Sequence, residues 1–162
     1  MTVELPAGEL PLGDLPVAAA RAAARFSKSL EVALSDVQLS LPQYRLLVFL
    51  TGGPERATAL AGWLDVSPPS LTALVDGCVA RGLVERSATP EDRRRVVHVI
   101  TAKGHELLDR GDVAVATRLA DVLGHLPPVQ ARKVVEGLEL LGRASELARE
   151  AREKPAAAEA RA

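Results

Sequence analysis

A run of arginines in the second half of the chain has the chemistry to bind phosphate. Arg93, Arg94 and Arg95 follow Asp92 directly, and Arg86 precedes them in the same segment. A guanidinium group stays charged at physiological pH and donates paired hydrogen bonds to phosphate oxygens. The Asp92 carboxylate is suited to orient an arginine and to stiffen the segment. Such a run is often only a solvated charge cluster, so its meaning depends on the elements that hold it.

A second group of residues, closer to the amino terminus, combines small size with hydroxyl groups. It consists of Ser67, Pro69, Ser70, Thr72 and Ala73. Hydroxyls exchange hydrogen bonds with several kinds of base edge, and the apolar groups of Pro and Ala can meet a thymine methyl group. A helix that starts here also offers free backbone N–H groups and a partial positive charge to phosphate. The same residues are compatible with a plain helix start.

The other chemistry-bearing residues predict neither catalysis nor a metal site, and no cofactor is expected. The sequence has no phosphate-binding glycine loop, no nucleophile elbow and no plausible pair of catalytic carboxylates. His98, His105 and His125 are not spaced as zinc ligands. We expect His98 to be an exposed or partly buried strand residue. The single cysteine, Cys78, falls on the inward face of a predicted helix, where a thiol is usually inert.

The composition describes a globular protein with an aliphatic core. Hydrophobic residues make up 48% of the 162 positions and aromatic residues only 2%, so Leu, Val and Ala must fill the core. The net charge is −1, and a protein of this charge that binds a polyanion must gather its basic residues on one surface. Signal-peptide and bilayer-spanning patterns are lacking and one cysteine fits a reducing compartment, so we expect a cytoplasmic protein.

Start and stop signals divide residues 41–101 into three helices followed by a β-hairpin. Proline and hydroxyl residues begin the helices and glycines end them. Asp65 fits the left-handed conformation of a tight turn before the third helix, which Ser67 caps. Arg81 is expected on the outward face of that helix. The predicted elements are helices 42–52, 58–64 and 67–82 and strands 83–87 and 96–100, with Thr101 capping the next helix.

Long helices with narrow apolar stripes flank this central part. Residues 14–40 and 102–151 carry apolar side chains at near-heptad spacing, and one copy of the central part cannot cover them all. We therefore expect a homodimer, with these helices as its dimerisation region and 41–101 as a winged helix-turn-helix region. The predicted fold is mainly α with a small β-hairpin wing. Residues 1–13 are expected to form a flexible arm and 152–162 a flexible tail.

Five motifs in a fixed order resemble the MarR family of bacterial transcription regulators. They are LPQYRLL at 41–47, ALAGWLDVSPPSLTALVD at 59–76, ARGLVER at 80–86, PEDRRR at 90–95 and ITAKG at 100–104. The resemblance covers residues 41–108 at the level of motifs and the whole chain in the order of helices. It implies a homodimeric winged helix-turn-helix protein that binds a pseudopalindromic double-stranded DNA operator. It also implies a repressor that a small ligand releases, because many members lose DNA affinity on binding small, often phenolic, molecules.

The resemblance gives the arginines distinct expected roles. Matched to the wing motif of the family, Arg94 would enter the minor groove, where a narrow groove concentrates negative potential. Arg86, Arg93 and Arg95 would hold phosphates of the DNA backbone. The wing therefore carries most of the expected positive charge at the DNA.

The resemblance also places a ligand pocket where the dimerisation helices meet the DNA-binding lobe. Arg21, Arg25 and Tyr44 are the candidates near that junction. An arginine there suits a ligand carboxylate. The alternative, which we favour, is that both arginines are solvated and Tyr44 is a core residue.

Three residues depart from the family pattern. Gly77 stands where many members carry a basic residue, and Asp76 beside it repels phosphate, so readout by the third helix is expected to be modest. Trp63 stands at a normally polar position, where it either stacks on the DNA backbone or packs on a neighbour. These departures keep an alternative open, namely a winged-helix protein-interaction module with weak or no specific DNA binding.

Overall fold

The computed structural model describes residues 15–88 and 96–159. Within them the chain forms six helices and one two-stranded antiparallel sheet, which confirms the predicted mainly α fold with a β-hairpin. None of the helices in these two ranges is long and apolar enough to cross a membrane. The elements are α1 Leu15–Asp36, α2 Leu41–Leu50, α3 Ala57–Leu64, α4 Pro68–Ala80, β1 Val84–Ala88, β2 Val96–Ile100, α5 Ala102–Leu123 and α6 Pro128–Glu159.

Short-range sequence signals set the starts of α2 and α5. Ser40 and Gln43 form a capping box, in which the Ser40 hydroxyl accepts from the Gln43 N–H at 3.3 Å and the Gln43 amide oxygen accepts from the Ser40 N–H at 3.2 Å. The Thr101 hydroxyl accepts from the Gly104 N–H at 3.0 Å, as its position predicts. Each bond satisfies a donor that a helix start leaves unpaired, so the two helices begin at these residues.

A leucine-rich core holds the lobe together, with α2 at its centre. Leu46, Leu47 and Leu50 are at most 1% exposed, as the apolar character of the predicted helix 42–52 requires. This helix packs against α1, α3, α4 and α5. Full burial of one leucine contributes about 2 kcal/mol. The helix therefore connects the long flanking helices to the helices of the winged-helix region.

The sheet pairs β1 with β2 in a register that places Arg86 opposite His98. Glu55 adds an isolated bridge to His98, with backbone N···O distances of 3.0 and 2.7 Å. The His98 Nδ1 atom also lies 3.1 Å from the Glu55 carbonyl oxygen, and the residue is only 4% exposed. The expectation that His98 is exposed or partly buried is therefore wrong, because the bridge to Glu55 covers it.

The last helix extends further than predicted. Residues 152–159 are helical as part of α6, although the sequence predicts a tail from 152 to 162. The alanine-rich composition of this segment gives the physical reason, since alanine has the highest helix propensity. Residues 160–162 and the arm predicted at 1–13 lie outside the described residues.

Candidate nucleic-acid interface

The turn between α3 and α4 directs the amino terminus of α4 to solvent. Asp65 ends α3 with φ 54° and ψ 52°, the left-handed conformation that its side chain was predicted to tolerate. Ser67 then caps α4, and its hydroxyl accepts from the Ser70 N–H at 3.3 Å. Pro68 and Pro69 occupy the first turn, where a missing N–H costs no hydrogen bond.

The outward face of α4 is built from small side chains. The five residues predicted to meet DNA from this helix are all exposed: Ser67, Pro69, Ser70, Thr72 and Ala73. On the opposite face, Leu71, Val75 and Cys78 are buried in the core. The Ser67 and Ser70 hydroxyl oxygens lie 2.8 Å apart, and the Thr72 hydroxyl donates to the Pro68 carbonyl at 3.0 Å. The exposed amino-terminal part of α4 therefore consists of small side chains, which include the hydroxyl groups of Ser67, Ser70 and Thr72.

The carboxyl end of α4 is tied to the start of α2. The Arg81 guanidinium donates to the Gln43 amide oxygen at 2.9 Å and to the Gln38 carbonyl at 2.7 Å. Lys103 in turn donates to the Arg81 carbonyl at 2.8 Å. The expectation that Arg81 faces outward is therefore wrong, because both ends of its guanidinium are used within the fold. These hydrogen bonds hold the carboxyl end of α4 in place, while its amino terminus stays exposed to solvent.

Arg86 does not stand free as a phosphate ligand, because it forms an ion pair with Asp76. The two groups come from different elements, Arg86 from β1 and Asp76 from the outward face of α4. The Arg86 side chain is 41% exposed and that of Asp76 is 55% exposed. The carboxylate expected to repel phosphate thus neutralises a neighbouring arginine. The sequence analysis did not predict this ion pair. Its only sequence signal is that Asp76 lies ten positions before Arg86.

The arginine run of the wing lies outside the described residues. Asp92, Arg93, Arg94 and Arg95 belong to the segment 89–95, and the last described pair of the hairpin is Ala88 with Val96. The described part of the wing is thus the two paired strands. The expected roles of these four residues stay predictions.

The three candidate ligand residues are not brought together by any described hydrogen bond or ion pair. Arg21 and Arg25 are exposed on α1. The Tyr44 hydroxyl instead donates to the Asp112 carboxylate of α5 at 2.6 Å. Burial, this hydrogen bond and the Asp112 charge together raise the pKa of Tyr44 above its usual 10.0. Tyr44 therefore has a structural partner that the sequence did not indicate.

A surface cavity of about 550 Å³ lies close to the α1–α2 junction. The end of α1 contributes Glu31 and Ser35, and the start of α2 contributes Leu41 and Gln43. None of the predicted ligand residues lines it. Because Gln43 also accepts from Arg81, the cavity borders the hydrogen bonds that brace α4.

Cys78 and Trp63 are both packed against other residues of the chain. Cys78 is fully buried, and burial raises the pKa of its thiol to about 11, an effect that the Arg81 charge offsets only in part. Trp63 packs on its neighbours, with its ring 5.6 Å from that of Phe49. Among the residues that the structure describes, no group of three or more His, Cys, Asp or Glu side chains could hold a metal ion.

Sequence comparisons relate the chain to known regulators. A family model described as the MarR family matches residues 37–95. Two curated proteins of Bacillus subtilis (strain 168) are similar to this chain. The uncharacterized HTH-type transcriptional regulator YfiV is 31% identical over 118 residues, which are 70% of this chain and 71% of YfiV. The corresponding regulator YhbI is 33% identical over 90 residues, or 55% of this chain and 58% of YhbI. The match to YhbI thus spans less than two thirds of that protein.

Solved structures share the fold over nearly their whole length. The transcriptional repressor CouR bound to a 23-mer DNA duplex is 31% identical, with a TM-score of 0.65 over 85% of this chain and 99% of that one. The Mycobacterium tuberculosis MarR family protein Rv2887 in complex with p-aminosalicylic acid is 28% identical. Its TM-score is 0.67 over 79% of this chain and 98% of its own. These relatives are named as regulators, which fits the expectation of a protein that is not an enzyme.

Proposed function

Because the chain belongs to the MarR family of transcription regulators, we propose that it is a homodimeric repressor that binds a specific double-stranded DNA operator. The observation that carries the proposal is the exposed amino terminus of α4, whose small and hydroxyl side chains stand clear of the core. The DNA duplex bound by the similar repressor CouR supports it. A DNA-binding protein also fits the cytoplasmic location expected from the sequence.

In this proposal α4 is the recognition helix and lies in the major groove. Its partial positive charge and free N–H groups favour phosphate, and its short side chains let the backbone approach base edges closely. Ser70 and Thr72 supply hydroxyls, and Pro69 and Ala73 supply apolar contacts to thymine methyl groups. Ser67 acts mainly as the cap, since its hydroxyl already accepts from the backbone. This helix gives modest readout because it carries no free positive side chain on its exposed face.

The arginines of the wing supply the electrostatic part of binding in this proposal. Arg94 enters the minor groove and Asp92 orients an arginine, while Arg93 and Arg95 hold phosphates. Arg86 reaches phosphate only when it leaves its ion pair with Asp76. The net charge of −1 gives the whole molecule no general attraction to DNA, so binding depends on these local groups.

Pairing of two chains is supported by the apolar side chains that α6 leaves uncovered. They have exposed fractions between 38% and 70% and are Val129, Val134, Val135, Leu138, Leu140, Leu141 and Leu147. Helical phase places Val134, Val135, Leu138 and Leu141 on one face of α6, and an exposed apolar face of this kind marks an interface. A second copy of the chain that covers this face gives two recognition helices related by a two-fold axis, which suits a pseudopalindromic operator.

The pairing is tested by placing a charge on the apolar face of α6. Leu141→Glu should shift the protein from dimer to monomer in sedimentation velocity, because an unpaired carboxylate would be buried between the helices. Gln130→Glu introduces the same charge at an exposed polar position of α6 and should remain dimeric. A Leu141→Glu variant that sediments as a dimer would refute this interface.

Release by a small ligand is the second part of the proposal. The similar protein Rv2887 binds p-aminosalicylic acid, which carries both a phenol and a carboxylate. A small phenolic or carboxylate ligand is therefore proposed here, at the junction of the long helices with the DNA-binding lobe. Arg21 and Arg25 suit its carboxylate, and Tyr44, whose hydroxyl donates to Asp112, is the third candidate residue. A ligand-dependent loss of operator affinity that Arg25→Gln abolishes would support this site.

DNA binding is tested by a charge placed on the exposed face of α4. Ala73 is exposed, so Ala73→Glu places a carboxylate near phosphate without removing core packing. We expect at least about tenfold weaker binding to the DNA upstream of the protein's own gene, since like charge and lost base contacts each cost about 1–3 kcal/mol. Ala102→Glu makes the same charge change at an exposed position of α5 and should bind as the wild type does.

The same gel shift distinguishes the alternative of a protein-interaction module. A specific repressor gives a shifted band that survives competitor DNA at moderate salt and weakens as salt rises. An interaction module gives no specific shift at any salt concentration. The second result for the wild-type protein would overturn the proposed repressor.

A further inference from the structure

Only two described side chains of the last helix are more than slightly shielded from solvent. In α6, among positions 128–149 and 151, Ala131 and Arg149 are partly buried and every other described side chain is exposed. Ala131 lies next to the connection from α5. Arg149 lies about two thirds of the way along α6, about 32 Å along the helix axis from Pro128 at 1.5 Å per residue. The position of this part of α6 therefore depends on what Arg149 contacts.

Arg149 contacts a pair of aromatic rings on the DNA-binding lobe. Its guanidinium carbon lies 4.8 Å from the centre of the Trp63 ring and 5.8 Å from that of Phe49. The two rings lie 5.6 Å apart and are inclined by 48°. Both distances fall within the range of about 6 Å at which a cation is attracted to an aromatic face. The contact thus joins α6 to α3 through Trp63 and to α2 through Phe49.

The composition of the chain makes this contact distinctive. The protein has only one Trp, two Phe and one Tyr, so half of its aromatic residues meet at this guanidinium. Trp63 lies on the helix that precedes the recognition helix, and Phe49 lies on the central helix of the core. An arginine is suited to this position because its planar group stacks on rings and is weakly hydrated.

We propose that Arg149 is a positioning residue. Its contact with Trp63 and Phe49, called the clasp below, holds α6 against α3 and so fixes the distance between the two recognition helices of the dimer. This inference depends on the proposed function, because the distance matters only if two copies read one operator. With the apolar face of α6 held by the partner chain, the clasp ties each DNA-binding lobe to the dimerisation region. A tilt of about 10° over the roughly 32 Å between Pro128 and Arg149 would move Arg149 by roughly 5–6 Å.

The clasp predicts an effect on operator spacing as well as on affinity. Two recognition helices fit half-sites that are one helical turn apart, about 34–36 Å. A fixed distance between the helices penalises an operator with one base pair inserted between its half-sites. Loosening the clasp should weaken binding to the natural operator and should reduce this penalty. A residue that only stabilises the fold would weaken binding to both operators equally.

The test compares Arg149→Met, which keeps an unbranched apolar side chain and removes the charge, with Arg149→Lys, which keeps the charge. Arg143→Gln removes a charge from an exposed position of the same helix and is the matched control. We expect Arg149→Met to bind the natural operator roughly threefold to thirtyfold more weakly, the range of a cation–π contact. It should also lose part of its discrimination against the inserted base pair. Arg149→Lys should recover part of both effects, and Arg143→Gln should resemble the wild type.

The fluorescence of Trp63 gives a second readout that does not require DNA. Because Trp63 is the only tryptophan, its emission reports directly on the contact with Arg149. The emission of Arg149→Met should differ from that of the wild type, and that of Arg143→Gln should not. Circular dichroism and sedimentation confirm that the variants are folded dimers.

Two results would overturn the clasp. One is unchanged Trp63 emission in Arg149→Met, which would mean that the contact is not formed in solution. The other is wild-type affinity and spacing preference in that variant. A wild-type protein that binds no operator specifically would overturn the proposed function instead. The fluorescence comparison would then decide whether α6 is held by Arg149.

Discussion

Asp76 on α4 and Arg86 on β1 form an ion pair that joins the recognition helix to the wing. Both side chains are substantially exposed, at 55% and 41%, so the pair stabilises the fold by no more than about 1 kcal/mol. Its larger effect is on the charge of the protein surface that faces DNA in the proposed complex. A paired Arg86 contributes little positive potential, and the Asp76 charge stands on the face that would meet phosphate. We therefore expect the pair to limit the affinity of α4 and β1 for DNA.

We expect Asp76→Asn to bind DNA more tightly and with a steeper dependence on salt. The change removes a negative charge from the outward face of α4 and releases Arg86 to neutralise one phosphate. The slope of log K against log salt should become more negative by about 0.9, the value for one phosphate contact. Fluorescence anisotropy with a labelled operator at four salt concentrations measures both quantities.

Asp121→Asn is the control for this experiment, because it makes the same charge change at an exposed position of α5. Arg86→Gln in the Asp76→Asn background should return the slope to the wild-type value. If Asp76→Asn binds with the wild-type slope, Arg86 does not reach phosphate even when it is free.

Gly104→Ala should destabilise the fold strongly. Gly104 is buried in the first turn of α5, and a β-carbon there would overlap the carbonyl oxygen of Leu83 and crowd the Ile100 side chain. That carbonyl already accepts from the Thr101 N–H at 3.0 Å and is not free to move. We expect a loss of about 2–4 kcal/mol in the free energy of unfolding, measured in urea.

Gly62→Ala is the matched control for the effect of alanine in a helix. Its β-carbon would meet no atom within 4 Å, so the change should stabilise α3 by about 0.5–1 kcal/mol. The two variants are predicted to shift the urea midpoint in opposite directions. Equal stability of Gly104→Ala and the wild type would show that β1 and α5 can separate without cost.

The features that the sequence predicted correctly depend on residues close together in the chain. The Ser67 and Thr101 caps each involve a partner three positions away, and the turn at Asp65 depends on the tolerance of one side chain for positive φ. Helical phase likewise placed Cys78 on the buried face of α4. Such signals require no knowledge of how distant elements pack.

The features that the sequence did not predict join residues far apart in the chain. His98 is covered by Glu55, which lies 43 positions away, and Tyr44 bonds Asp112 at a separation of 68. The pattern around His98 gives only a strand, and burial of that strand depends on which segment lies beside it. Arg81 has the helical phase of an outward residue, yet its long side chain folds back to Gln43. Helical phase alone does not predict such a path.

Tyr44→Phe should weaken the junction of α2 and α5 and should change how stability depends on alkaline pH. The variant loses the hydrogen bond to Asp112, which should cost about 1–2 kcal/mol. Burial comes first among the causes that raise the Tyr44 pKa, followed by the hydrogen bond and charge of Asp112. A raised pKa in the folded state means that the folded protein holds this proton more tightly than the unfolded chain.

The sign of the pH dependence follows from that difference. The Tyr44 contribution to stability is fully present below pH 10.0, the usual tyrosine pKa, and is lost as pH rises above it. Urea unfolding at pH 8 and at pH 11 should therefore show a larger loss in the wild type than in Tyr44→Phe. Equal losses in the two proteins would mean that Tyr44 ionises as readily in the folded state as in the unfolded chain.

Oxidants should leave operator binding unchanged, because Cys78 is shielded in the core. The thiol is 0% exposed, and burial raises its pKa from 9.0 to about 11. The thiolate, which is the reactive form, is then about 100-fold scarcer at neutral pH than for a thiol of ordinary pKa. Peroxide treatment followed by an operator titration tests the expectation, and alkylation with iodoacetamide in buffer and in urea measures the shielding directly.

Cys78→Ala provides the control for these measurements, since it removes the thiol and leaves only a small cavity. Its operator affinity should match that of the peroxide-treated wild type. Alkylation of the native protein should be at least about 100-fold slower than in urea, since the closed fold adds a barrier to the scarcity of thiolate. A peroxide-dependent loss of binding that a thiol reductant reverses, and that Cys78→Ala lacks, would instead make this buried cysteine a redox switch on the recognition helix.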